Sequence, residues 1–123
     1  MTRTSLPPRR QNERVEVIWV NGRGDDVVFV VTYGFNEIAP NVRGSIKEVF
    51  CTSLKTGTDM AGTINDACIA ISKLLQHGET IHEVAASFGE NRAEGATFGP
   101  PASPLGAIAR AGTVLEPKKG EAL

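Results

Sequence analysis

Val27-Val28-Phe29-Val30-Val31-Thr32-Tyr33-Gly34-Phe35 is the stretch on which the fold turns. β-Branched and aromatic side chains dominate it, and these fit a pleated, packed surface. Its near-continuous hydrophobicity assigns it to the centre of a sheet, covered on at least one face. Just upstream, Asn21-Gly22-Arg23-Gly24 carries residue types that tolerate positive φ and reads as a hairpin turn. The run before that turn, with Val15, Val17, Ile18 and Val20, is then a first strand over 15–20. Downstream, 36–44 contains Pro40 and Asn41 and is expected to be a connecting loop. A third strand is expected over 45–53, with Ile46, Val49, Phe50 and Cys51 as its apolar members. Three antiparallel strands with one apolar face require a helical cover.

That cover follows in the chain. Met60, Ile64, Ala67, Cys68, Ile71, Leu74 and Leu75 fall at i, i+4, i+7, i+8, i+11, i+14 and i+15, one stripe of a long amphipathic helix. Thr58 supplies its N-cap, Asp59 suits the positive end of the dipole, and Gly78 ends it in a left-handed conformation. A second helix starts at Thr80-Ile81-His82-Glu83, which has capping-box spacing. Ile81, Val84, Ala85 and Phe88 form its buried face and Gly89 stops it. Residues 90–101 are rich in Gly and polar side chains and are expected to form a loop. Ser103 then caps a short last helix with Pro104 at its first position, running through Leu105, Ile108 and Ala109 to Gly112. The expected fold class is α+β: a small antiparallel sheet covered on one face by a long and a short helix, with a short C-terminal helix. The expected organisation is an extended basic arm at 1–13, one domain at 14–112 and a flexible tail at 113–123.

At 123 residues and 41% apolar composition, the chain suits one domain with one core. No run of about 18 apolar residues offers a transmembrane helix. The early arginines lead into no apolar block of the kind a secretory signal needs. Lys and Arg number 13 against 14 Asp and Glu, so nothing global calls for a DNA or RNA polymer or for a membrane surface. The distribution is less even. Arg3, Arg9, Arg10, Arg14 and Arg23 outnumber Glu13 and Glu16 over 1–23, and this end is either a local phosphate contact or a solvated arm. Cys51 and Cys68 fall on apolar faces, with no His or Cys at metal-ligand spacing. No metal or other cofactor is therefore expected, and both cysteines read as buried, reduced thiols suited to the cytosol.

Catalytic constellations are missing from the sequence: it has no Gly-x-Ser-x-Gly elbow, Walker loop or Cys-x-x-Cys. Asp25 and Asp26 are neighbours in a turn, whose side chains point to opposite faces instead of pairing for acid/base work. His82 reads as a surface histidine. No enzymatic activity is expected, and two stretches suit a ligand instead. Lys55-Thr56-Gly57-Thr58-Asp59 joins the third strand to the first helix, where free amides and the hydroxyls of Thr56 and Thr58 suit a phosphate or carboxylate. Ordinary helix capping is the plainer reading, and Asp59 repels an anion unless it faces away. The second stretch gathers Phe88, Asn91, Arg92, Phe98, Ser103 and Arg110 around a Gly/Pro-rich loop. Aromatic faces stack on a base, Asn reads a base edge, and arginines take phosphates bidentately. A packed loop with solvated arginines is the competing reading.

Gly44-Ser45-Ile46-Lys47-Glu48-Val49-Phe50, followed by Lys55-Thr56-Gly57-Thr58-Asp59-Met60-Ala61-Gly62, resembles the TSCPD domain family. So does the helix ending Leu74-Leu75-Gln76-His77-Gly78, which is similar to that family's LxLQxG ending. Ala102-Ser103-Pro104-Leu105-Gly106-Ala107-Ile108-Ala109 falls where the family carries Thr-Ser-Cys-Pro-Asp followed by Ala-Ile-Ala. Leu6-Pro7-Pro8-Arg9-Arg10 resembles the opening of short stand-alone members in bacteria and their phages, and the whole resemblance spans 6–112. Pro104 stands at the signature's cysteine and Gly106 at its aspartate, so a thiol role tied to that signature does not carry over.

Such domains lie near the C-terminus of adenosylcobalamin-dependent ribonucleotide reductases. The resemblance therefore implies a non-catalytic nucleotide-binding or regulatory module, in the cytoplasm, with a reductase subunit as a possible partner. Radical nucleotide reduction itself needs a large barrel and a set of cysteines that this chain does not supply. One alternative is a phage or prophage anti-defence sponge that sequesters a (cyclic) nucleotide immune signal in the host cytoplasm. A second is a protein-interaction adaptor. In the nucleotide readings the ligand sits between the start of the first helix and the 88–110 segment, completed by Arg9 and Arg10 of a neighbouring copy. A homo-oligomer is expected through the sheet or helix face, because a small sheet facing a wide apolar stripe leaves apolar surface over.

Overall fold

The computed structural model describes residues 11–40, 42–52 and 58–116. Three strands, β1 (Gln11–Val20), β2 (Asp26–Ala39) and β3 (Val42–Cys51), form one antiparallel sheet in the order β1-β2-β3. Three helices follow: α1 (Asp59–Gln76), α2 (Ile81–Ala86) and α3 (Pro104–Leu115). The fold is α+β, with the helices on one face of the sheet.

β2 is central, as its hydrophobicity requires. Phe29, Val31, Tyr33 and Phe35 alternate onto the helix-covered face and are at most 2% exposed. Val17 of β1 and Val49 and Cys51 of β3 share that core, while Ile18, Val28 and Phe50 stay exposed on the other face. α1 packs along β3, and α2 packs on α3, which also reaches β1. The Tyr33 hydroxyl donates to the Ile108 carbonyl at 2.6 Å. Burial pushes this phenol far up, and the nearby Cys68 and Cys51 add to the rise. α3 approaches closely because Gly112 has no side chain: a Cβ there would lie 2.8 Å from Cγ1 of Ile81 and 3.2 Å from the Tyr33 ring. Among the described residues no helix is long and apolar enough to cross a membrane.

Local start signals are realised. Thr58 caps α1, Thr80 and Glu83 form a reciprocal capping box, and Ser103 caps α3 with Pro104 in its first turn. Boundaries differ from expectation where tertiary pairing overrides composition. β1 begins at Gln11, so 11–13 lie in the sheet instead of in an arm, with Glu13 opposite Tyr33. Arg43 stacks 4.0 Å over Phe35 and reaches Glu13 at 2.9 Å, which anchors this end. Most of the loop expected at 36–44 is strand: β2 runs to Ala39 and β3 starts at Val42, with register shifts between them. Pro40 marks only the tip, and Oδ1 of Asn36 accepts the Ser45 N–H at 2.7 Å across the hairpin.

The α1 stripe is rotated from the expected one. Ile64, Cys68, Ile71 and Leu75 are buried, but Met60 and Leu74 are half exposed, and Ser72 and Gln76 are buried in their place. α1 lies over the edge strand of a narrow sheet, so its buried arc turns toward β3 backbone. α2 stops at Ala86, where Ser87 Oγ donates back to the Glu83 carbonyl. α3 passes its expected end and runs to Leu115. His82 is half-buried, with its ring nitrogen hydrogen-bonded to the Glu116 carbonyl, so it is not the surface residue that the sequence implies.

Candidate functional site

The connection from α2 to α3 is held in a defined shape. The Gly89 carbonyl accepts the Ala102 N–H at 3.0 Å, the Asn91 N–H donates to the Pro100 carbonyl at 2.8 Å, and Glu90 bridges Pro101. At Gly99 a Cβ would lie 2.3 Å from the Asn91 carbonyl oxygen, so only glycine lets the two limbs close. Oγ of Ser103 accepts the Gly106 N–H at 3.1 Å and starts α3. α3 then brings Arg110 back to the loop, with Nη1 on the Gly99 carbonyl at 3.0 Å and Nη2 on Oε2 of Glu90 at 2.8 Å. Arg92 donates from Nε to Oε1 of the same carboxylate at 3.0 Å.

Two guanidinium groups therefore share one carboxylate, and the cluster keeps one positive charge in excess. The Arg92 and Arg110 side chains are 58% and 44% exposed, and Phe98, next to Gly99, is 80% exposed. Each guanidinium carries five N–H donors, more than these contacts use. Of the residues expected to bind, the structure brings Arg92 and Arg110 together, with exposed Asn91 and Phe98 on the loop they pin. Phe88 is elsewhere, half-buried beside Ile71, Val84 and Glu83 in a groove of about 390 Å³ between α1 and α2. The Thr58 and Ser103 hydroxyls are engaged as helix caps. Arg9, Arg10 and Thr56 lie outside the described residues.

A second feature escaped the sequence reading: the seam between α1 and β3. The Cys51 N–H donates to the Cys68 sulfur. The Val49 N–H donates to Oγ of Ser72 at 2.9 Å, and that hydroxyl donates to the Val49 carbonyl at 3.3 Å. Nε2 of Gln76 donates to the Lys47 carbonyl at 3.1 Å. The match has a geometric cause. Four helical residues rise about 6 Å and two strand residues about 6.8 Å, so Cys68, Ser72 and Gln76 keep step with Cys51, Val49 and Lys47. Burial pushes the Cys68 thiol up to about 11, with Cys51 adding to the rise and the Cys51 N–H opposing it. Both cysteines are free and buried. A groove of about 370 Å³ follows the seam, walled by Phe50 and Ile69 with Lys73 and Asn65 among its lining. The available signal was polar Ser72 and Gln76 continuing the four-residue spacing from Cys68.

No family model, curated protein or solved structure matches this chain. Among the described residues no group of three His, Cys, Asp or Glu side chains is placed to hold a metal ion.

Proposed function

We propose that this chain is a non-catalytic module that binds an anionic nucleotide at the Glu90–Arg92–Arg110 cluster. One observation carries the reading: Arg92 and Arg110 meet on the two oxygens of a single carboxylate, beside the loop that leaves Phe98 exposed. Glu90 holds both guanidinium groups in place, so a ligand orders little on arrival. The remaining N–H donors suit phosphate oxygens, and the Phe98 ring suits a base. The resemblance of 6–112 to the TSCPD domain supports the same ligand class, in a cytoplasmic setting linked to an adenosylcobalamin-dependent ribonucleotide reductase.

Calorimetry against nucleoside triphosphates and cyclic dinucleotides tests the proposal. One class binds below millimolar concentration, and Arg92→Ala and Phe98→Ala each weaken it about 10–100-fold, the loss of one charge-assisted or stacking contact. The melting temperature of both variants stays near wild type, because both side chains are largely exposed. Arg110→Ala is the less clean probe, since it also frees Gly99. Preference for nucleoside triphosphates supports the reductase-linked module, and preference for cyclic dinucleotides supports a sponge. Absence of any binder, or wild-type affinity in both variants, refutes the site and leaves the adaptor reading.

A further inference from the structure

α1 closes the β3 edge of the sheet, and β1 is the other edge. The hydrogen-bond phase fixes which β1 groups face outward. Thr52 N–H donates to the Val30 carbonyl at 2.9 Å, so Val30 faces β3 and Val31 faces β1, where it lies opposite Val15. Asn21 N–H donates to the Asp25 carbonyl at 2.9 Å, which gives the odd-numbered residues of β1 the same phase. Backbone groups alternate along an antiparallel strand. Val15 and Val17 therefore turn theirs to β2, and Arg14 and Glu16 turn theirs outward. The side chains of Arg14, Glu16, Ile18 and Val20 are exposed on the face that no helix covers.

We infer that β1 pairs antiparallel with β1 of a second copy, centred on Val15, joining two sheets into one. A two-fold axis perpendicular to the sheet keeps the uncovered face on the same side in both copies, so residues that oppose each other share parity. Four registers, centred on Arg14, Val15, Glu16 and Val17, keep most of β1 overlapped. Centring on Val17 shortens the ladder and sets Arg14 against Val20 and Glu16 against Ile18, with no ion pair. Centring on Arg14 sets arginine against arginine, and centring on Glu16 sets glutamate against glutamate. Centring on Val15 sets Arg14 against Glu16 of the partner subunit, twice. In that register the two residues also exchange backbone N–H···O bonds, so the ladder and the ion pairs coincide. An open edge strand is a template for any passing strand, and charges are the usual means of restricting it. Here the Arg14-Val15-Glu16 order favours a second copy in the Val15-centred register, the one that combines a long ladder with two attractive pairs.

Light scattering on the whole chain tests the inference. The wild type is a dimer at micromolar concentration. Arg14→Glu and Glu16→Arg each weaken it about 10-fold or more, since each turns both attractive pairs repulsive. The Arg14→Glu/Glu16→Arg double variant recovers wild-type association. Circular dichroism confirms the fold of each variant, and hydrogen exchange on the unaltered protein gives a second reading through concentration-dependent protection of the Arg14 and Glu16 amides. A wild-type monomer, a dimer indifferent to single reversals, or a double variant that fails to recover overturns the inference. So does full protection of both amides in a monomer, which places another part of this chain on the edge.

Discussion

At the β3 edge, Ser72 and Gln76 of α1 take up outward backbone groups of Val49 and Lys47, and Cys68 accepts from Cys51. At the β1 edge, the outward groups of Arg14 and Glu16 meet no such side chain among the described residues. Sealing the first edge places two polar side chains in the buried arc of a helix, which is tolerable only because each is hydrogen-bonded there. The second edge is left to charges. A mutation at the sealed edge therefore acts on stability, and one at the open edge acts on association.

The largest expected effect comes from breaking the seal. Ser72→Ala with Gln76→Ala orphans the Lys47 carbonyl and both Val49 backbone groups, and unfolding free energy in urea falls by about 3–9 kcal/mol, at about 1–3 kcal/mol for each of the three groups. A core substitution away from both edges comes next. Gly112→Ala drives a methyl group against Ile81 and Tyr33 and costs about 1–3 kcal/mol in the same assay.

A pH scan then probes the thiol in the seam. The Cys68 pKa rises from 9.0 to about 11 on folding, so the folded state holds its proton more tightly than the unfolded chain. Stability from this group is complete below pH 9 and declines toward pH 11, where the melting temperature drops. Cys68→Ala reduces that slope, and buried Tyr33 supplies what is left. The smallest effect belongs to the open edge. Glu16→Ala shifts monomer stability by no more than about 0.5 kcal/mol while still loosening the dimer, and urea unfolding of diluted protein beside light scattering separates the two.

What was legible in the sequence was what local chemistry decides. The valine and aromatic run around Phe29 could only be a central strand, and Thr58, Thr80 with Glu83, and Ser103 with Pro104 announced three helix starts. Pro40 misled, because a hairpin tip and a long loop share the same composition. Ser72 and Gln76 were hidden for a different reason: a polar residue joins a buried arc only when a specific backbone group waits opposite it. At the candidate site, Arg92, Arg110 and Phe98 were legible as chemical types. Glu90 was not, because the 20-residue separation from Arg110 is bridged only once α3 folds back on the loop.

Amide hydrogen exchange across a concentration series measures the contrast between the edges most directly. The Val49 and Cys51 amides are predicted to be protected at every concentration, sealed within their own chain. The Arg14 and Glu16 amides are predicted to exchange fast in dilute protein and slowly in concentrated protein. Fast exchange at Val49 and Cys51, or exchange at Arg14 and Glu16 that ignores concentration, would contradict the account.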